Sequence, residues 1–109
     1  FNGRLYQAKR ASDGNLYTRS SANGTNWNSW VSGGATVGNV TMVSFNSQLY
    51  QFKRKSGNTV YFRSSLNGIT WSDWIAETSA VSDISVAEFG NELYQALRDA
   101  DNDVYVTTF

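Results

Sequence analysis

Hydrophobic and polar residues along this chain alternate at the two-residue period of extended strands, and no stretch of useful length carries a helical period. In Leu5-Tyr6-Gln7-Ala8-Lys9-Arg10 the alternation sets Leu5, Gln7 and Lys9 on one face and Tyr6, Ala8 and Arg10 on the other. Ser12-Asp13-Gly14-Asn15 follows as a tight turn, because Asp-Gly tolerates the backbone that a short hairpin needs. A second strand, Leu16-Tyr17-Thr18-Arg19-Ser20, leads into an Asn23-Gly24 turn and then into Trp27-Asn28-Ser29-Trp30-Val31, which the pattern predicts as a further strand. Small residues (Ser32-Gly33-Gly34-Ala35) read as a linker to Val40-Thr41-Met42-Val43-Ser44-Phe45. Apolar residues on both faces of that last strand predict an inner position covered on two sides.

The pattern then starts again. Phe1-Asn2-Gly3-Arg4-Leu5-Tyr6-Gln7-Ala8-Lys9-Arg10 returns as Phe45-Asn46-Ser47-Gln48-Leu49-Tyr50-Gln51-Phe52-Lys53-Arg54 and again from Phe89 to Arg98, with a period of 44 residues. Repeats 1–44 and 45–88 are identical at 17 of 44 positions, and residues 89–109 form a partial third copy. The later copies predict strands at Val60-Tyr61-Phe62-Arg63-Ser64, Trp71-Ser72-Asp73-Trp74-Ile75, Ile84-Ser85-Val86-Ala87-Glu88-Phe89 and Val104-Tyr105-Val106-Thr107, with Glu77-Thr78-Ser79-Ala80 as linker. Units of four antiparallel strands at this spacing predict an all-β fold of β-propeller blades within a single array, residues 1–109. A trefoil would need three full repeats, and a plain sandwich would not explain the period. The chain supplies about two and a half blades, whereas a ring takes roughly four or more. A longer parent chain or oligomerisation is therefore expected to complete it.

Composition narrows the function classes. Nine basic and nine acidic residues leave no net charge, which argues against a nucleic-acid or anionic-membrane binder. No apolar run reaches the length of a membrane span. The absence of Cys and His removes a thiolate nucleophile, a zinc cluster and the usual general base. These residue types call for no cofactor and no enzymatic role. The abundance of Asn, Ser, Thr, Gly, Tyr and Trp resembles that of extracellular sugar-binding and adhesive β proteins.

Two features carry a family resemblance. Ser20-Ser21-Ala22-Asn23-Gly24-Thr25-Asn26-Trp27 and Ser64-Ser65-Leu66-Asn67-Gly68-Ile69-Thr70-Trp71 resemble the Asp-box hairpin of sialidase-type propellers, with Ala22 and Leu66 where that box has Asp. The whole repeat, Leu-Tyr-x-x-x-Arg, a turn, an apolar residue plus Tyr, then Trp-x-x-Trp, is similar to the blades of bacterial and fungal propeller lectins, notably the fucose-binding kind. The resemblance implies a secreted, multivalent lectin with shallow sites between neighbouring blades, for fucosylated or other monosaccharide-terminated glycans. Aromatic faces suit the C–H face of a sugar, and guanidinium and amide groups suit its hydroxyls.

The candidate ligand-binding residues are Trp30, Trp74, Arg10, Arg54, Arg98, Gln7, Gln51, Trp27 and Trp71. Each has a structural alternative. Trp27 and Trp71 fit packing under the box-like turn. Trp30 and Trp74, three residues on, fall on the opposite face if the segment is a strand. The recurring Arg10, Arg54 and Arg98 fit an aromatic or carboxylate partner between blades. Tyr6, Tyr50 and Tyr94 read as filler between blades, and Arg19 and Arg63 as solvent-facing edge residues. Asp99, Asp101 and Asp103 have the alternation of a calcium loop, although an acidic hairpin explains them as well. Asn23-Gly24-Thr25 and Asn39-Val40-Thr41 match the glycosylation sequon. Competing expectations are a propeller scaffold for protein–protein contact and, below that, a sialidase-type glycosidase fragment, which would need an arginine cluster and paired carboxylates.

Overall fold

The computed structural model describes all residues, Phe1–Phe109. The chain is all-β, with ten strands, no helix and no cis peptide bond. The strands are β1 (Leu5–Arg10), β2 (Asn15–Ser21), β3 (Val31–Ala35), β4 (Thr41–Phe45), β5 (Gln48–Arg54), β6 (Thr59–Ser65), β7 (Ile75–Ser79), β8 (Ser85–Phe89), β9 (Glu92–Arg98) and β10 (Val104–Thr108). They form three antiparallel sheets in the orders β1-β2-β3, β4-β5-β6-β7 and β8-β9-β10. Register is reproduced from sheet to sheet. Gln7 pairs with Arg19, Gln51 with Arg63 and Gln95 with Thr107, and the β2–β3 and β6–β7 pairs share a bulge, at Leu16/Tyr17 and Val60/Tyr61.

Two expectations need correction. The Trp-x-x-Trp segments are not strands; β3 and β7 begin at Val31 and Ile75 and run through the residues expected to be linkers. The reason lies in side-chain competition with the ladder. Asn28 Oδ1 accepts the Ser20 amide at 2.7 Å, and Ser72 Oγ accepts the Ser64 amide at 3.0 Å. The glycines of β3 meet local demands: Gly34 takes a positive φ of 91° beside the bulge in the β2–β3 pair, and space is short at Gly33. A Cβ at Gly33 would collide with Leu16 and crowd the Arg63 guanidinium. The inner strands are also less covered than expected: β4 is largely half-buried, and in β8 Phe89 is 76% exposed.

Each sheet lays one face on its predecessor. The β5 face of Leu49, Gln51 and Lys53 turns towards the first sheet, where the Gln51 Nε2 donates to Thr18 Oγ1 at 2.7 Å. The opposite face carries Phe52, which with Val60, Ala80, Ile84, Leu93 and Leu97 forms the main core between the second and third sheets. Phe109 closes that core edge-on, its ring 5.0 Å from Phe52 and 4.6 Å from Phe62. The sheets approach one another at β4 and β8, where Thr41 Oγ1 donates to Ile84 O at 2.8 Å.

Candidate functional site

The turn at residues 65–71 builds one wall of the site. Ser65 Oγ accepts the Gly68 amide at 2.7 Å and donates to Thr70 O at 2.6 Å. Asn67 Oδ1 accepts the Ile69 and Thr70 amides, each at 2.8 Å. Ser21 and Asn23 repeat the arrangement in the first sheet, so the serine and asparagine do the fastening and Ala22 and Leu66 do not. Gly68 has a positive φ of 74° and lies against Tyr6 of the first sheet; any Cβ there would run into the tyrosine ring and hydroxyl. That close approach holds the turn over β1.

Behind the turn stands a stack of cations and indoles. The Arg63 guanidinium lies between Trp71 (4.4 Å) and Trp74 (4.6 Å), and its Nε donates to Gln51 Oε1 at 2.8 Å. Lys53 Nζ sits over Trp74 at 4.1 Å, and both Lys53 Nζ (3.3 Å) and Trp74 Nε1 (3.0 Å) donate to Gly33 O. Burial pushes the Lys53 ammonium down to about 8, helped by the positive charges of Lys55 and Arg63. Burial likewise lowers Arg63, to about 10. The first sheet repeats the stack in the open: Arg19 lies between Trp27 (4.5 Å) and Trp30 (4.4 Å), donates to Gln7 at 2.9 Å, and Lys9 covers Trp30 at 4.3 Å. Paired tryptophans therefore share one guanidinium and do not point to opposite faces. Arg19 and Arg63 are half-buried stack members, which corrects their placement in solvent.

In front of the turn is a cleft of about 390 Å³ between the first and second sheets. Its lining includes Arg4, Tyr6, Arg19, Asn28, Gly68 and Trp71. Ser20 Oγ ties the floor together, accepting from Arg4 Nε and from Asn28 Nδ2, both at 3.1 Å. A broader, more open depression of about 490 Å³ lies on the far side of the same turn, with Gln48, Ser64 and Ser72 at the positions of Arg4, Ser20 and Asn28.

Of the nine candidates read from the sequence, Trp71 lines the cleft. Trp27, Trp30 and Gln7 belong to the outer stack, and Trp74 and Gln51 lie within the contact between sheets. The recurring arginines secure the connections between sheets instead of stacking on rings. Arg10 Nε donates to Thr36 O at 3.1 Å. Arg54 reaches Asn58 and Val37 and lies 4.0 Å from Asp83, and Arg98 reaches Asn102 and Val81. Sequence reasoning did not pick out Arg4 or Asn28, and it read Tyr6 as filler. The one available signal was that residue 4 differs in every copy (Arg4, Gln48, Glu92) beside an otherwise repeated Leu-Tyr-Gln. Asp99 Oδ1 accepts the amides of Asp101 (3.0 Å) and Asp103 (2.9 Å), and no three acidic residues converge to hold a metal ion. No helix is long and apolar enough to cross a membrane.

Compared with known proteins, the chain matches no protein-family model and no curated protein.

Proposed function

We propose that the three sheets are blades of a β-propeller and that the chain is a non-enzymatic, lectin-like carbohydrate-binding module of extracellular setting. The observation that carries this reading is the cleft under the turn at residues 65–71. It joins an indole, a phenol, the Arg4 guanidinium and the amides of Asn28 and Asn67 in a concavity of small-molecule size between neighbouring sheets. Those are the groups that a sugar's apolar face and hydroxyls require. No Asp or Glu lines it, so a two-carboxylate glycosidase mechanism would have no members there.

The blade reading is supported by the way the sheets pack, each with the same face on its predecessor, converging at β4 and β8. Such a heterologous contact can be extended by another copy. Leu5 (56% exposed), Gln7 and Lys9 form the uncovered counterpart of Leu49, Gln51 and Lys53. Val104 and Val106, 73% and 67% exposed, are uncovered on the third sheet. Self-association through these two faces closes the ring and multiplies weak single sites into avidity.

Glycan-array binding that a free monosaccharide competes away is the expected result. A folded chain that ignores every glycan, and whose melting no sugar alters, would sink the proposal. Light scattering tests the ring: a monodisperse oligomer is expected, and a stable monomer contradicts it. The second reading, a scaffold for protein–protein contact, draws on the packing roles of Trp74 and Gln51. It predicts that Trp71→Ala alters stability alone, whereas the lectin reading predicts loss of sugar binding with the fold intact.

A further inference from the structure

We infer that the cleft between the first and second sheets selects a carboxylated saccharide over its neutral parent; this rests on the sugar-binding reading above. One cation, Arg4, faces the cleft and no acidic residue does; Arg19 borders it but turns its guanidinium to the opposite face of β2, with Gln7. Arg4 has no carboxylate partner, since the chain's ion pair joins Arg54 to Asp83 elsewhere. Arg4 commits only its Nε, to Ser20 Oγ, leaving both terminal nitrogens without a protein acceptor. A guanidinium held by its Nε presents a fork suited to a carboxylate, and such charge-assisted pairs are the stronger hydrogen bonds.

The repeats provide an internal control on whether Arg4 is there for folding. The same position holds Gln48 at the start of β5 and Glu92 at the start of β9, and both hairpins keep the same register. The fold therefore does not require a cation at residue 4, and the positive charge there is peculiar to the cleft between the first and second sheets. Trp71 and Tyr6 are left to meet the sugar ring, and Asn28, fixed by Ser20, to meet a hydroxyl.

The test is a titration of the full chain, followed by amide spectra, with matched pairs: galactose and galacturonate, glucose and glucuronate, N-acetylneuraminate and its methyl ester. At least one acidic member is expected to bind about ten-fold or more tightly than its neutral mate, and to weaken when salt is raised from about 20 to 200 mM. Arg4→Gln, which places at residue 4 what the second repeat already carries, is expected to erase that preference with the spectrum of the folded chain retained. Neutral members binding as tightly as acidic ones, or a preference that survives Arg4→Gln, would overturn the charge selectivity and leave sugar binding standing. A folded chain that binds neither kind would overturn both.

Discussion

The two contacts between sheets use the same backbone, and each buries a glutamine, Gln51 or Gln95, yet the rest of their chemistry differs. Between the second and third sheets, Phe52, Val60, Phe62, Ala80, Ile84, Leu93 and Leu97 exclude water and need no polar partner. The corresponding positions between the first and second sheets are Ala8, Leu16, Thr18, Thr36, Val40, Leu49 and Lys53. Thr18 stands for Phe62 and Lys53 for Leu97, and the lost apolar filling is replaced by indoles stacked on cations and by Gln51 bonded to Thr18 and Arg63. A repeat can thus keep its register and still divide labour: one interface is mainly apolar, with the buried Gln95 beside Glu77 as its polar pair, and the other is mostly polar and opens into a cleft. The cost is a buried ammonium, tolerable because Trp74 and Gly33 O attend it.

The largest effect is expected from removing the anchor of the apolar contact. Phe52→Ala should cost about 3–5 kcal/mol, read as a lowered denaturation midpoint with amide exchange accelerated first in β8–β10. Trp74→Ala strikes the other contact, uncovering Lys53 and Arg63 and deleting the indole bond to Gly33 O. A loss of about 2–3 kcal/mol is expected, with exchange accelerated in β2 and β3 instead.

A pH scan tells the two contacts apart more finely. Lys53 ionises in the folded chain at about 8, against 10.5 when exposed. Between those values the unfolded chain holds a proton that the folded chain has released, so stability should climb as pH rises from about 8 towards 10.5. Below about 8 both states carry the proton, and this contribution is flat. Lys53→Met should remove that climb relative to the parent chain, measured by urea midpoints across the window; an unchanged slope would show that the ammonium is not buried. Smallest of all, Arg98→Gln loses only exposed bonds to Asn102 and Val81 and should shift stability by about 0.5 kcal/mol or less.

Eight of the ten strands were legible in the sequence to within a residue or two, because the alternation recurs in every copy and Gly, Asn or Asp marks the turn after β1, β5 and β9 each time. β3 and β7 were not. Their Ser, Gly and Ala residues look like linker, and Trp-x-x-Trp looks like strand, until Asn28 and Ser72 are seen capping the neighbouring backbone. The site shows a similar division. What recurs, Gln51, Arg54 and Trp74, was visible and went mostly into packing. Arg4 was overlooked because recurrence was the guide, and this residue does not recur. A side chain that serves every repeat serves the framework, and the cleft's charge comes from a position where the copies differ.

The most direct measurement is a titration of the isotope-labelled chain with galacturonate and glucuronate, watching the Trp71 indole N–H and the Gly68 amide. Both should move together and saturate, since one lines the cleft and the other fixes its wall against Tyr6. If the ligand saturates the protein while both signals stay where they were, the cleft between the first two sheets is not where the sugar sits.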